Sequence, residues 1–134
     1  MIQVVVGALM SEDRVLLGHR SPNKIAYPDV WDLPGGVVEA GETELGALTR
    51  ELQEELGVTV STASVSHLCR LTAGRAEQPV LLSTWLVTDW QGTPTNTAPE
   101  EHDDIGWFGS DDLPPLAHEA MRTALVNVMR TSRA

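Results

Sequence analysis

The sequence predicts an α/β (α+β) fold in which helices pack against a central mixed β-sheet. Three observations lead there. Apolar runs and amphipathic stretches follow one another in the order β-β-α-β-β-β-α, a succession that layered sheet-and-helix domains produce. Leu45, Leu48, Leu52 and Leu56 recur at spacings of three and four, which makes one buried stripe on a helix. The chain has 134 residues, 42% of them hydrophobic, and no Pro- or Gly-rich hinge divides it, so a single domain over residues 1–134 with one core is expected.

Each element has its own local reason. Residues 2–10 and 14–18 are strand-like apolar runs joined by the turn Ser11-Glu12-Asp13. Pro22, Asn23 and Pro28 punctuate a loop over 21–32, and Leu33-Pro34-Gly35-Gly36 closes it with two glycines that can take angles other residues avoid. A helix is predicted over 44–56, with Thr43 as N-cap and Gly57 just past its end. Gly46 weakens it, since glycine inside a helix costs roughly 1 kcal/mol against alanine. Strand material follows in 58–71. Residues 79–89 form a stronger strand whose near-continuous apolarity predicts burial on both faces. After a loop rich in Thr, Pro and Asn over 91–99 come a short strand, 105–108, and a final amphipathic helix, 116–129.

Composition narrows the function. Nine basic against 19 acidic residues leave a formal net charge of −10, the wrong sign for a general binder of nucleic-acid polymers. No stretch is long and apolar enough to cross a membrane. The N-terminus lacks the basic start of a secretory signal, and the single cysteine, Cys69, cannot form an internal disulfide, so a cytoplasmic setting is expected. Cys69 reads as a small buried filler rather than a nucleophile.

Residues 35–58, GGVVEAGETELGALTRELQEELGV, hold six glutamates beside one arginine. Glu51, Glu54 and Glu55 fall at i, i+3 and i+4, within one sector of the helix and next to the leucine stripe. Unpaired carboxylates brought together there would repel and raise one another's pKa. A hard dication removes that conflict: Mg²⁺ takes oxygen ligands in octahedral geometry, using few carboxylates plus water and substrate phosphates. An acidic triplet on a helix is ordinarily a solvated face. Here, however, that account also has to explain Gly35-Gly36 before the helix, Glu42 at its approach, Arg50 beside Glu51 and Gly57 at its end.

The stretch resembles the signature G-x5-E-x7-R-E-U-x-E-E-x-G-U of the Nudix hydrolases, where U is a bulky aliphatic residue. The match runs through Gly36, Glu42, Arg50, Glu51, Leu52, Glu54, Glu55, Gly57 and Val58, and every fixed position is satisfied. Outside it, VVVGALMSEDRVLLGHR, WDLPGG, LLSTWLVTDW and GWFGSDDLPPL are similar to MutT-like members, so the resemblance covers essentially the whole chain.

The resemblance implies an α/β/α sandwich with helices on both sides of the sheet. It also implies a hydrolase of nucleoside diphosphates linked to a further group, dependent on Mg²⁺ or Mn²⁺. Carried over, Glu51, Glu54 and Glu55 are the metal carboxylates, with the Gly35 carbonyl as a further ligand. Arg50 orients a glutamate, foremost Glu51, and Glu42 holds the loop-helix geometry or ligates a further metal. Glu51, Glu54 and Arg50 carry the catalysis, and Glu100 or Glu101 is the alternative late base or ligand. Arg20 faces substrate phosphates; Trp31, Leu33, Tyr27 and His118 are candidates for the base pocket. His67 and His102 read as structural or exposed.

Members that act on oxidised guanine nucleotides tend to carry an aromatic residue before Pro-Gly-Gly and an Asn near the last helix. This chain has Leu33 and Ala117-His118 there, so the expected substrate is the broader class of (deoxy)nucleoside triphosphates, cleaved to monophosphate and pyrophosphate. Nucleotide sugars, dinucleoside polyphosphates and a non-catalytic nucleotide-binding module are the alternatives. A small-molecule nucleotide is the expected partner, with no nucleic-acid polymer and no membrane, and a homodimer is a further association state.

Overall fold

The computed structural model describes residues 1–24 and 28–133; Tyr27 lies outside them. The strands are β1 (Ile2–Ser11), β2 (Arg14–Arg20), β3 (Trp31–Asp32), β4 (Gly35–Val37), β5 (Thr59–Val60), β6 (Val65–Arg75), β7 (Gln78–Val87), β8 (Trp90–Gln91) and β9 (His102–Gly109). Helix α1 spans Glu44–Leu56 and α2 spans Glu119–Arg133.

Among the described residues, seven strands form one mixed sheet and β5–β8 form a small second one. β1 is its centre. It pairs in parallel with β7 from Ile2↔Val80 to Leu9↔Val87. Along its other edge, Val4–Val6 pair with β4 and Met10–Ser11 with β2. Two residues, Glu12 and Asp13, join β1 to β2, both at positive φ, 51° and 63°. Such tight hairpins need that backbone because its twist matches the flanking strands.

Period-2 alternation along the strands divides the core in two. Val5, Leu9 and Leu16 point to one face, where Ala47, Leu48, Leu52 and Leu56 of α1 cover them. Val6, Ala8, Val15 and Leu17 point to the other, against Met121, Leu125 and Met129 of α2. The chain is therefore the helix–sheet–helix sandwich expected. Gly7 keeps α1 close, since a Cβ there would stand 3.0 Å from Leu48 Cδ1 and 3.1 Å from Leu52 Cδ1. β7 serves both faces as its apolarity predicts, Leu82 and Leu86 packing toward α2 and Trp85 and Val87 toward α1.

The ends of α1 also match expectation. Thr43 Oγ1 accepts from Gly46 N at 3.0 Å. Gly57 turns into the left-handed region, φ 71°, and donates its N–H to Gln53 O. Among the described residues, leaving aside the helix's own backbone and the chain neighbours of Gly46, that cap hydroxyl is the atom within 4 Å of a Cβ built there, at 3.1 Å.

Other boundaries shift for non-local reasons. α2 starts at Glu119 rather than Leu116, because Leu116 is extended and bridges in parallel to Trp31, leaving His118 as the residue whose carbonyl accepts the first helical N–H, from Arg122. β9 begins three residues early, at polar His102, because its backbone continues the β2 ladder to Arg20↔His102. β3, β4, β5 and β8 have two or three residues each, too few for a periodic signal, and exist through pairing alone. Cys69 is half-buried, at a bulge of β6.

Candidate active site

The Glu51 and Glu55 carboxylates meet where β4 passes the last turns of α1. Gly36 lies on the backbone side of Glu51: a Cβ there would stand 2.6 Å from that carboxylate. Gly35 N–H donates to Glu55 Oε2 at 3.1 Å. The two glycines thus let a pair of acids lie directly on a strand. Gly35 is fixed more tightly still, at φ 152° with the space for a Cβ filled by Val5 O, 2.0 Å away.

Arg50 is the counter-charge for the group. Its Nε and Nη2 donate to both oxygens of Glu42 at 2.8 and 3.0 Å. Nη1 donates to Glu51 at 2.9 Å and reaches Glu54 at 3.4 Å, and Nη2 also donates to Val37 O at 3.1 Å. The forked guanidinium suits this work, since it binds one carboxylate through two parallel bonds and still has donors to spare. Arg50 therefore does orient Glu51, but its tightest partner is Glu42. The hydrogen bond from Arg50 holds the Glu42 carboxyl down at about 2.

The three helix glutamates occupy different environments. Glu55 is 3% exposed, whereas the Glu54 side chain is 57% exposed. Burial, then a hydrogen bond with Glu51, pushes the Glu55 carboxyl up to about 9. Burial and the neighbouring Glu51 thus favour the protonated form of Glu55 in the cation-free fold, while Glu54 faces the adjoining cavity. Among the described residues no three acid, imidazole or thiol groups are already gathered into a cation cage. The Glu51–Glu55 pair nevertheless fits a hard dication: the donors are all oxygen, and a cation would relieve the burial and the like-charge neighbour that push the Glu55 carboxyl up.

Two cavities adjoin this pair. The larger, of about 630 Å³, has Arg50, Glu51, Glu54, Glu55, Glu100 and Glu101 in its walls. The smaller, of about 420 Å³, has an apolar floor that includes Val4, Val6, Leu33 and Leu82, with Arg20 and His118 at its sides. Glu55, Glu101 and the Gly35–Val37 strand border both. Residues 95–97 fasten the approach to Glu100 and Glu101 onto the end of α1. Thr95 and Thr97 donate their N–H groups to Leu56 O and Glu55 O, and the Thr97 hydroxyl donates to Glu54 O at 2.6 Å.

Of the residues expected to meet the substrate, Leu33 and His118 from the base-pocket candidates and Arg20 from the phosphate side line the smaller cavity. Trp31 does not line either of these cavities. It packs edge-on against Phe108 at 4.9 Å and tilted against His19 at 5.2 Å. Alternation along β3 gives the cavity position to its neighbour, Asp32, whose carboxyl accepts from Leu33 N and is pushed up chiefly by burial.

Sequence reasoning missed Asp32 and Lys24 as cavity residues, and His102 as a neighbour of Glu55. The His102 ring is buried 3.5 Å from Glu55 Oε1. Burial holds that imidazole below its usual range, which disfavours an ion pair with Glu55. Gly18 makes room for it: a Cβ there would stand 2.4 Å from the ring. A glycine inside the apolar run of β2 was the one local sign of such a close approach.

The Glu55 shift has a testable sign. A carboxyl raised in the fold contributes stability that is complete below its ordinary value of 4.5 and is lost as pH rises toward about 9. Binding a cation reverses the preference, because the ligand must be the carboxylate. Mg²⁺ binding at pH 7 is therefore expected to release about one proton, and the apparent affinity to rise between pH 6 and 8. Titration calorimetry in buffers of different ionisation enthalpy reads this directly. An affinity flat with pH and a heat independent of buffer would contradict it.

Comparison with known proteins places the chain in a family. The family profile described as NUDIX domain matches residues 1–128. The chain is 31% identical over 116 residues to the 8-oxo-dGTP diphosphatase of Escherichia coli (strain K12), covering 85% of this chain and 88% of that one. It is 34% identical over 114 residues to the CTP pyrophosphohydrolase of the same organism, covering 84% and 78%. Among solved structures, the MutT NUDIX hydrolase of Burkholderia pseudomallei superposes with a TM-score of 0.82 at 31% identity, over 92% of this chain and 95% of that one.

Proposed function

The chain belongs to the Nudix family of hydrolases, enzymes acting on nucleotide phosphoanhydride bonds, and from that premise we propose that it is a Mg²⁺-dependent pyrophosphohydrolase of (deoxy)nucleoside triphosphates. The observation that carries this reading is the Glu51–Glu55 pair laid on Gly35-Gly36, between an acidic cavity and an apolar one. Two of its relatives, an 8-oxo-dGTP diphosphatase and a CTP pyrophosphohydrolase, support the triphosphate class.

In this proposal the apolar cavity receives the base, and Arg20 meets the phosphates at its side. Glu51, Glu54 and Glu55 hold the cation, with the Gly35 carbonyl as a further ligand. A divalent cation bound there neutralises phosphate oxygens and makes it easier to draw a proton from water. Arg50 keeps Glu51 and Glu54 aimed while Glu42 holds Arg50. Glu54 takes the proton from the attacking water, as the most exposed of the three helix carboxylates. Glu100 and Glu101, in the wall of the same cavity, are the alternative bases. The water oxygen bonds to one of the two phosphorus atoms flanking the bridge between the first and second phosphates, the bond from that phosphorus to the bridging oxygen breaks, and monophosphate and pyrophosphate leave.

The test is a Mg²⁺-dependent turnover screen over normal and oxidised nucleoside triphosphates, nucleotide sugars and dinucleoside polyphosphates, with product identification. Monophosphate plus pyrophosphate from a triphosphate is expected. Cleavage confined to nucleotide sugars or dinucleoside polyphosphates would overturn the substrate class. Binding without turnover of any member would overturn the reaction.

A further inference from the structure

Lys24 is the only lysine in the chain. Its Nζ donates to Glu101 Oε2 at 2.6 Å. The two residues come from loops that leave the same end of the β2–β9 ladder, which closes at Arg20↔His102. Lys24 lies four residues beyond that pair on one side, and Glu101 immediately precedes it on the other. Glu101 borders both cavities, whereas Lys24 borders the smaller one beside Arg20. The ion pair therefore spans the border between the apolar and the acidic space.

We infer that Lys24 is a substrate-phosphate contact held in reserve by Glu101, and that a polyphosphate displaces the carboxylate to take the ammonium for itself. The inference rests on the reading that a nucleoside polyphosphate fills these cavities. Three observations carry it. The partners are 26% and 48% exposed, so solvent and ligand reach both. A partly exposed ion pair has little net stability of its own, and a ligand offering several charged oxygens competes well against one carboxylate. Finally, in a chain of net charge −10 the walls around Glu100 and Glu101 repel an anion, and Arg20 and Lys24 are the Lys or Arg side chains lining the smaller cavity. Displacement leaves Glu101 in the acidic cavity with its charge uncompensated by Lys24, where it is one of the candidate late bases or ligands.

The experiment uses the full chain with Mg²⁺ and a non-hydrolysable α,β-methylene nucleoside triphosphate. Acylation of Lys24 by an amine-reactive reagent, read by peptide mass, is expected to slow several-fold when the analogue saturates, with the N-terminal amine unaffected. Lys24→Gln is expected to weaken the analogue about tenfold, the scale of one charge-assisted contact, and to leave nucleoside monophosphate affinity unchanged. The cost of Lys24→Gln should be larger in a Glu101→Gln background, where the carboxylate no longer competes. Equal costs in the two backgrounds, or an acylation rate indifferent to the analogue, would overturn the inference. Failure of the wild-type chain to bind any polyphosphate would overturn the functional reading itself.

Discussion

Glu55→Gln is expected to lower kcat by roughly 10²- to 10⁴-fold, the range for removing one directly acting group, while the fold survives. The argument is specific to the environment of this residue. Glu55 is buried and accepts from Gly35 N–H, and burial with Glu51 beside it pushes its carboxyl toward the protonated form in the cation-free fold. Glutamine has the same shape and the same neutral charge, so it can accept from Gly35 and donate to Glu51. What it cannot do is become a carboxylate when a cation arrives. The melting temperature at neutral pH should therefore be unchanged or slightly raised, and the proton release on Mg²⁺ binding should disappear. A purified, folded variant with near-normal turnover would show that the buried acid is structural.

Gly35→Ala carries the largest expected effect on stability. An added Cβ would stand 2.0 Å from Val5 O and 2.6 Å from Val6 Cα, both backbone atoms of the central strand. Backbone cannot swing aside as a side chain can. At φ 152° the new residue would also be strained in itself. Strain and overpacking together should cost roughly 3 kcal/mol or more, lowering the melting temperature by about 10 °C. Since β4 holds Gly36 beneath Glu51 and Gly35 beneath Glu55, the site should loosen with it. Denaturant unfolding measures this, and a loss below about 1 kcal/mol would mean that β4 is not the rigid base of the site.

These two residues also illustrate what could be read from the chain before its fold. Glu55 declared itself because its cues are local: the spacing to Glu51 and Glu54, the leucine stripe beside them, the Thr43 cap and the Gly57 stop all lie on one helix. Gly35 declared only its freedom. That it forms a strand depends on pairing with Val6, an element distant in sequence. The same limit explains Trp31 and Asp32. Nothing local decides which of two neighbours on a two-residue strand faces a cavity, and the larger aromatic attracted the expectation. His102 and Lys24 belong to the site only through the β2–β9 ladder, which brings two polar loops together at its end. Periodicity is blind to such loops, because no apolar pattern marks them.

The central claim is that the carboxylates at the end of α1 gather around a divalent cation. A crystal structure with Mn²⁺, located by its anomalous scattering, tests it most directly. The account predicts a peak coordinated by oxygens of Glu51, Glu54 and Glu55, with the Gly35 carbonyl beside it and the Arg50–Glu42 fork unchanged. Full Mn²⁺ occupancy elsewhere, with Glu55 still bonded to Glu51 and Glu54 turned into bulk water, would contradict it.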